Sequence, residues 1–285
     1  MIEKIALMTD TVANLPDDYV KENNIYVISL YVIIDGKYYK DSIDISSYDM
    51  FKLDEKDEDF TVKSASPSPK DFSEMFNNIR EDGYDKVIFI GMGSNLSSTI
   101  ANAKLADNNE LDIGFIDSRT VTINQGLLVM YANDLLNKGL NFNEIIERVN
   151  HVVGNSNAIG WIDSLKYLKA GGRLGKAASK VSTKLKLKPF MSINGKGEFN
   201  LYKLKSSRKN SYPAVEKKIR EELDGAKEYY IAYLYADDYS ILDEAKDRLS
   251  DLEENALGTF ESPAGPVVAV HVGPKIYAVA YLIVD

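Results

Sequence analysis

The chain has no cysteine, one tryptophan and two histidines in 285 residues. Without cysteine there are no disulfides, no thiolate nucleophile and no cysteine-ligated zinc. Long apolar runs are also missing. The longest, Ile25–Ile34 and Ile276–Val284, are of strand length and too short to cross a bilayer. Met1-Ile2-Glu3-Lys4 leads straight into an apolar run without a small-residue cleavage site, so no signal peptide is expected and a cytoplasmic location is. No Gly-x-Ser-x-Gly elbow marks a hydrolase nucleophile.

What is there describes a globular α/β protein. Hydrophobic residues make up 45% and charged residues 27%, and the length suits two domains of ordinary size. The net charge of −9 argues against general nucleic-acid binding. That charge is unevenly placed: Ser164 to Val215 holds thirteen Lys or Arg and one acid, Glu198. Such a block is either a solvated face or a surface that docks an acidic partner, a phosphate or a membrane.

The most informative stretch is Lys86 to Ala103. Val87–Ile90 reads as a buried strand, Gly91 and Gly93 loosen the backbone, and Ser94, Asn95, Ser97, Ser98 and Thr99 open an alanine-rich helix. Free N–H groups and the positive end of a helix dipole favour an anion there. No Gly-Lys-Ser/Thr follows, Leu96 stands where a dinucleotide fingerprint needs glycine, and no Lys or Arg lies between Val87 and Ala103. One carboxylate is therefore a better candidate than a phosphate. The alternative is that Ser97 or Ser98 only caps the helix.

Taken in order, Lys4–Met8 predicts a strand ending in Thr9-Asp10-Thr11, and Asn14 a cap for the helix that follows. Ile25–Ile34 predicts a second strand and Asp35-Gly36 a hairpin turn. Lys63 to Pro69 predicts a rigid, hydroxyl-bearing loop, with Ser68 capping a helix that begins at Pro69. Asp112–Asp117 predicts a strand, and 126–136 and 142–153 predict helices. Gly154-Asn155-Ser156-Asn157 marks a domain boundary. Beyond it, Gly171-Gly172 opens the backbone before Arg173, and Asn194-Gly195-Lys196-Gly197 joins two strands. Helices are expected over 212–223 and 240–251 around a strand at 229–235. Val267 to Val272 and Ile276–Val284 read as strands around a Gly-Pro turn, with His271 half in the core and His151 on the surface. The expected fold is a doubly wound, mostly parallel sheet over residues 1–154. An α/β domain with a mixed or antiparallel sheet follows over 155–285, with a ligand between the two.

Six segments in order resemble the DegV family, the fatty-acid-binding proteins that serve bacterial fatty-acid kinases as the B subunit. Thr9-Asp10-Thr11-Val12-Ala13-Asn14-Leu15 is similar to Asp-Ser-Thr-x-Asp-Leu, and Lys63-Ser64-Ala65-Ser66-Pro67-Ser68-Pro69 to Thr-Ser-x-Pro-Ser-Pro. Gly93 to Thr99 resembles Ser-Ser-x-Leu-Ser-Gly-Thr, and Asp117-Ser118-Arg119 with Gln125-Gly126 resembles Asp-Ser-x…Gly-Gln-Gly. Leu168 to Leu174 resembles Leu-Lys-x-Gly-Gly-Arg-Ile, and His271 to Pro274 resembles His-x-Gly-Pro. Ser64-Ala65, Gly93, Ser98 and Asn124 depart from the family pattern.

The resemblance implies a single long-chain fatty acid in a tunnel between the domains. Its carboxylate would be held by Ser64, Ser94, Ser97 and His271, with Asp10, Thr11, Ser66, Gln125 and Gly273 in the supporting loops. Arg173 matches the arginine linked to work with the ATP-binding kinase subunit. No catalytic residue, metal or cofactor is implied, and the fatty acid is the ligand. About sixteen carbons at about 0.8 kcal/mol per methylene bury on the order of 10 kcal/mol gross, while the carboxylate needs partners. The basic block from Lys166 to Lys209, with Lys176, Lys180 and Lys184, is expected to face the kinase or to touch membrane transiently. The other readings are a stand-alone lipid chaperone or regulator, and a hydrolase using Ser94 or Ser97 with His271 as base.

Overall fold

A computed structural model describes residues 3–54, 62–107, 110–173, 188–205, 207, 209–236 and 238–285. Lys176, Lys180 and Lys184 lie outside the described residues. The order is β1 (Ile5–Asp10), a 3-10 turn (Thr11–Ala13), α1 (Asp17–Glu22), β2 (Tyr26–Ile28), β3 (Tyr31–Ile34), β4 (Lys37–Lys40), α2 (Ser47–Asp54), β5 (Val62–Ala65) and α3 (Pro69–Glu81). Then come β6 (Lys86–Gly91), α4 (Thr99–Ala106), β7 (Asp112–Asp117), α5 (Ile123–Asn137), α6 (Phe142–Val152) and β8 (Ser156–Ile162). The chain ends with α7 (Lys166–Ala170), β9 (Lys188–Asn194), β10 (Phe199–Lys205), α8 (Tyr212–Glu222), β11 (Tyr229–Tyr235), α9 (Asp243–Glu254), β12 (Gly258–Pro263), α10 (Pro266–Val272) and β13 (Ile276–Ile283).

Among the described residues three sheets result: a parallel one ordered β2-β1-β6-β7, a six-stranded one ordered β10-β9-β8-β13-β11-β12, and a small antiparallel β4-β3-β5. Alternation along the parallel strands sends Ala6, Met8, Val87 and Phe89 toward α3 and α4, and Ile5, Leu7, Ile88 and Ile90 toward α5 and α6. Helices therefore cover both faces of that sheet, as a doubly wound fold requires. The larger sheet is mixed. Only β11–β12 is parallel, while β13 runs antiparallel to both β8 and β11. Its one face carries Ile159, Trp161 and Tyr277 against α8 and α9. Its other face carries Ala158, Met191 and Ala278 toward the N-terminal half. Helix α5 lies between the two sheets, which is why nearly all of its residues are buried.

Four local expectations are corrected. The run Ile25–Ile34 is two strands in two sheets. Leu30 N–H donates to Thr11 Oγ1 at 3.2 Å, and Leu30 O accepts from Asp41 N–H at 2.9 Å, so the backbone turns at Ser29-Leu30. Asn14 does not start α1; it closes the 3-10 turn in the left-handed region at φ 50° and donates to Pro263 O at 3.0 Å. The loop around Ser64 begins as strand, with β5 pairing β3. Val267–Val272 is helix α10, not a strand. Pro266 sits at its first position, Gly273 closes it at φ 84°, and it is buried nearly all round. A helix buried on every side shows no polar face, so its valines read like a strand.

Candidate functional site

Helix α10, the inner face of the mixed sheet and the loops after β1 and β6 line an apolar tunnel that is partly open to solvent. Its floor is low because Gly160 of β8 faces Ala278 of β13. Among its described lining residues, only Thr122, Arg173, Ser192 and His271 have polar side chains. A lining of this character suits an apolar ligand with one polar end.

His271 in the last turn of α10 belongs to the polar part of the lining, and Ser64 of β5, which is not itself among the lining residues, meets it there. Ser64 Oγ lies 2.9 Å from His271 Nε2. The other face of the ring lies against Gly171, where an added Cβ would stand 2.2 Å from Nδ1. Gly171 follows α7, and Gly172 takes φ 70° to turn the chain toward Arg173. The Arg173 guanidinium donates to Gly171 O at 2.6 Å and to Leu96 O at 3.3 Å, tying the C-terminal half to the loop after β6. Beside Leu96, Ser97 Oγ lies 2.8 Å from Ser66 Oγ and accepts from Thr99 N–H at 3.3 Å. Ser98 Oγ donates to Ser66 Oγ at 3.1 Å. A hydroxyl chain thus runs from Ser66 to the N-terminus of α4, where Ser97 accepts from the first helical N–H while the N-cap residue, Ser98, makes no side-chain capping bond.

The structure brings Ser64 to His271, and Ser66 to Ser97. It does not bring Ser94 to them by any hydrogen bond. Ser94 is exposed, and its N–H and Oγ donate to Asp117 at 3.1 and 2.6 Å. Asp10 and Thr11 line a second, polar cleft on the far side of the 3-10 turn, and only Val12 of that turn reaches the tunnel. Asp10 accepts from Val12 N–H at 3.1 Å and Met92 N–H at 2.9 Å, so it holds two tunnel residues from behind. Burial raises its pKa to about 6. Gln125 is a buried brace that donates to Thr9 Oγ1 and Ile90 O. Gly273 has no room for a side chain because Tyr167 fills that space. One contributor escaped the sequence reading. Asp41, wholly buried, accepts from Val267 N–H at 2.9 Å, and nothing local in the sequence links it to α10.

Burial, and then the Arg173 charge, lower the His271 pKa to about 4, so the imidazole is neutral at pH 7. It offers a hydrogen bond rather than a charge. A base whose folded pKa lies below its unfolded value of about 6.5 contributes stability that is complete above pH 6.5 and is lost as pH falls toward 4. The drop amounts to about 3 kcal/mol at most. Thermal unfolding of wild type and His271→Gln between pH 7 and 4 should therefore show the wild type losing its lead. Parallel curves would refute this assignment.

Among the described residues no three His, Asp or Glu are placed to hold a metal, and no helix is long and apolar enough to cross a membrane. The DegV family model, which is described as an uncharacterised protein family, matches residues 4–284. A DegV domain-containing protein from Caldanaerobacter subterraneus subsp. tengcongensis is 32% identical, over 98% of this chain and 99% of that protein. One from Clostridium acetobutylicum is 31% identical, over 98% of each. Among solved structures, a DegV family protein from Thermus thermophilus described by its fatty acid binding superposes with a TM-score of 0.91 at 23% identity, covering 98% and 99% of the two chains. A stearic-acid-binding protein from Eubacterium ventriosum gives 0.86 at 24% identity, covering 99% and 98%. At those identities the likeness is one of fold. Matched by the family model almost end to end, and by relatives above 30% identity over nearly their whole length, the chain belongs to the DegV family.

Proposed function

We propose that this protein binds one long-chain fatty acid, with the chain in the tunnel and the carboxylate at Ser64 and His271. The observation that carries the reading is His271, which lines a largely apolar tunnel and lies 2.9 Å from Ser64 Oγ. Serine hydroxyl and neutral imidazole can both turn a proton toward a carboxylate, and Arg173 brings a positive charge to the same wall. Ser97 and Ser66 extend the set of hydroxyls, and Ser94 joins it only if it leaves Asp117. Fatty acid binding in structural relatives from Thermus thermophilus and Eubacterium ventriosum supports this ligand class.

The partner in this reading is an ATP-dependent fatty-acid kinase subunit in the cytoplasm. It would phosphorylate the carboxylate presented here, with Arg173 supporting the transfer and with transient membrane contact during lipid exchange. Residues 1–154 and 155–285 would act as the two domains that hold the ligand between them. The protein itself would break no bond.

Denaturing organic extraction of the purified protein, followed by mass spectrometry, tests the ligand. One fatty acid per chain is the expected result. An empty extract, together with no uptake of added palmitate, would overturn the reading. A kinase subunit that co-purifies would separate substrate presentation from a stand-alone lipid carrier.

A further inference from the structure

We propose that Asp41 is a positioning residue for the fatty-acid site: its carboxylate caps α10 from across the fold and so sets where His271 meets Ser64. The proposal rests on the binding reading above for its consequence, and on the geometry alone for its cause.

Helix α10 has seven residues, fewer than a helix needs to hold itself in water. Its N-cap residue is Gly265, which has no side chain to accept from the first turn. Pro266 at the first position has no N–H, so the first donor requiring a partner is Val267 N–H. Asp41 Oδ1 takes it at 2.9 Å. A cap normally comes from the adjoining residue; here it comes from a residue 226 positions away. The site leaves no slack. A Cβ on Gly265 would lie 3.1 Å from Ser42 Oγ, 3.3 Å from Asn14 Nδ2 and 3.5 Å from Asp41 Oδ1. Asp10 and Thr11 are the other groups that face Asp41.

What hangs from this cap is most of one tunnel wall. Val267, Val268, His271 and Val272 all line the tunnel. His271 lies four residues along from Val267, about 6 Å along the axis. A two-turn rod released at one end pivots about the other, and the 2.9 Å contact at Ser64 has little tolerance for that. Asp41 also explains why loss of one acceptor far from the ligand would reach the ligand's polar end.

The test compares Asp41→Asn, which keeps an oxygen at the same reach and removes the charge, with Asp41→Glu, which keeps the charge and displaces the oxygen by one methylene. Palmitate affinity is expected to stay within about threefold of wild type for Asn, and to weaken about tenfold or more for Glu. Equal weakening in both, or wild-type affinity in Glu, would overturn the proposal. A ligand-free readout stands beside it. With only two histidines, one of them the exposed His151, the His271 ring resonance can be followed by itself. It should be unmoved in Asn and shifted in Glu, with a titration midpoint above the wild-type value of about 4. If wild type takes up no palmitate while the ring still responds to Glu, the ligand reading fails and the positioning role stands. An unresponsive ring removes the positioning role whatever binds.

Discussion

Ala278→Phe is expected to empty the tunnel of long-chain fatty acid while leaving the protein folded. Ala278 of β13 sits opposite Gly160 of β8, and these two small positions make the floor over which the chain would lie. A phenyl ring there would occupy the tunnel that Ala278 lines together with Val268 and Val272 of α10. Excluding about six methylenes at about 0.8 kcal/mol each removes about 5 kcal/mol of gross burial, which is a loss of about 10³-fold or more in affinity. The polar end is untouched by the change, so octanoate should still bind where palmitate does not. Isothermal titration with acids of 8, 12 and 16 carbons reads this directly. A variant with wild-type affinity for palmitate would show that the chain takes another path.

Gly171→Ala is expected to disable the other end of the site. The new methyl carbon would fall 2.2 Å from His271 Nδ1 and 2.8 Å from Cε1, well inside van der Waals contact. Gly171 has φ −75°, which alanine adopts freely, so the backbone is not what suffers. The imidazole must leave, and with it the hydrogen bond to Ser64. Overpacking of this kind costs about 1–3 kcal/mol of stability, and loss of the paired donor should weaken palmitate binding about 30-fold or more. Adding His271→Ala to Gly171→Ala removes the clash and should restore stability but not affinity. If the single variant binds palmitate as wild type does, the His271 side of the clamp is wrong.

Much of this was legible in the chain. The strand, glycine turn and hydroxyl-rich helix start over 86–106 needed only local pattern, and so did the cap at Ser68 and the turns at Asp35-Gly36 and Asn194–Gly197. The family resemblance supplied both Ser64 and His271, but no sequence pattern says that they touch. Two of the misreadings share one cause. Ile25–Ile34 breaks because Thr11 and Asp41 take the hydrogen bonds of Leu30, and Val267–Val272 coils because Asp41 caps it. In each case a distant partner decided the backbone, while the local residues pointed the other way. Strand β12, an edge strand of six residues that carries Gly258, Ser262 and Pro263, was missed for want of an apolar run; among the described residues it pairs with β11 alone. Ser94 was placed by motif, and its bond to Asp117 belongs to the edge strand beside it.

The contacts that assemble the polar end also set when it can exist. Ser64 and His271 are 207 residues apart, Asp41 and Val267 226, and Asn14 and Pro263 249. Closing loops of that size costs only slightly more than closing loops half as long, but it orders events in time. At about 5–20 residues per second, a ribosome needs about 10–40 s to travel from Ser64 to His271. Through that interval β5 has its partner β3, yet the wall it is built to face has not been made. A growing chain thus carries only part of the proposed site until α10 and β13 have been made. On the binding reading, loading would follow the making of α10 and β13, and a truncation that removes them is expected to yield a fragment that takes up no palmitate.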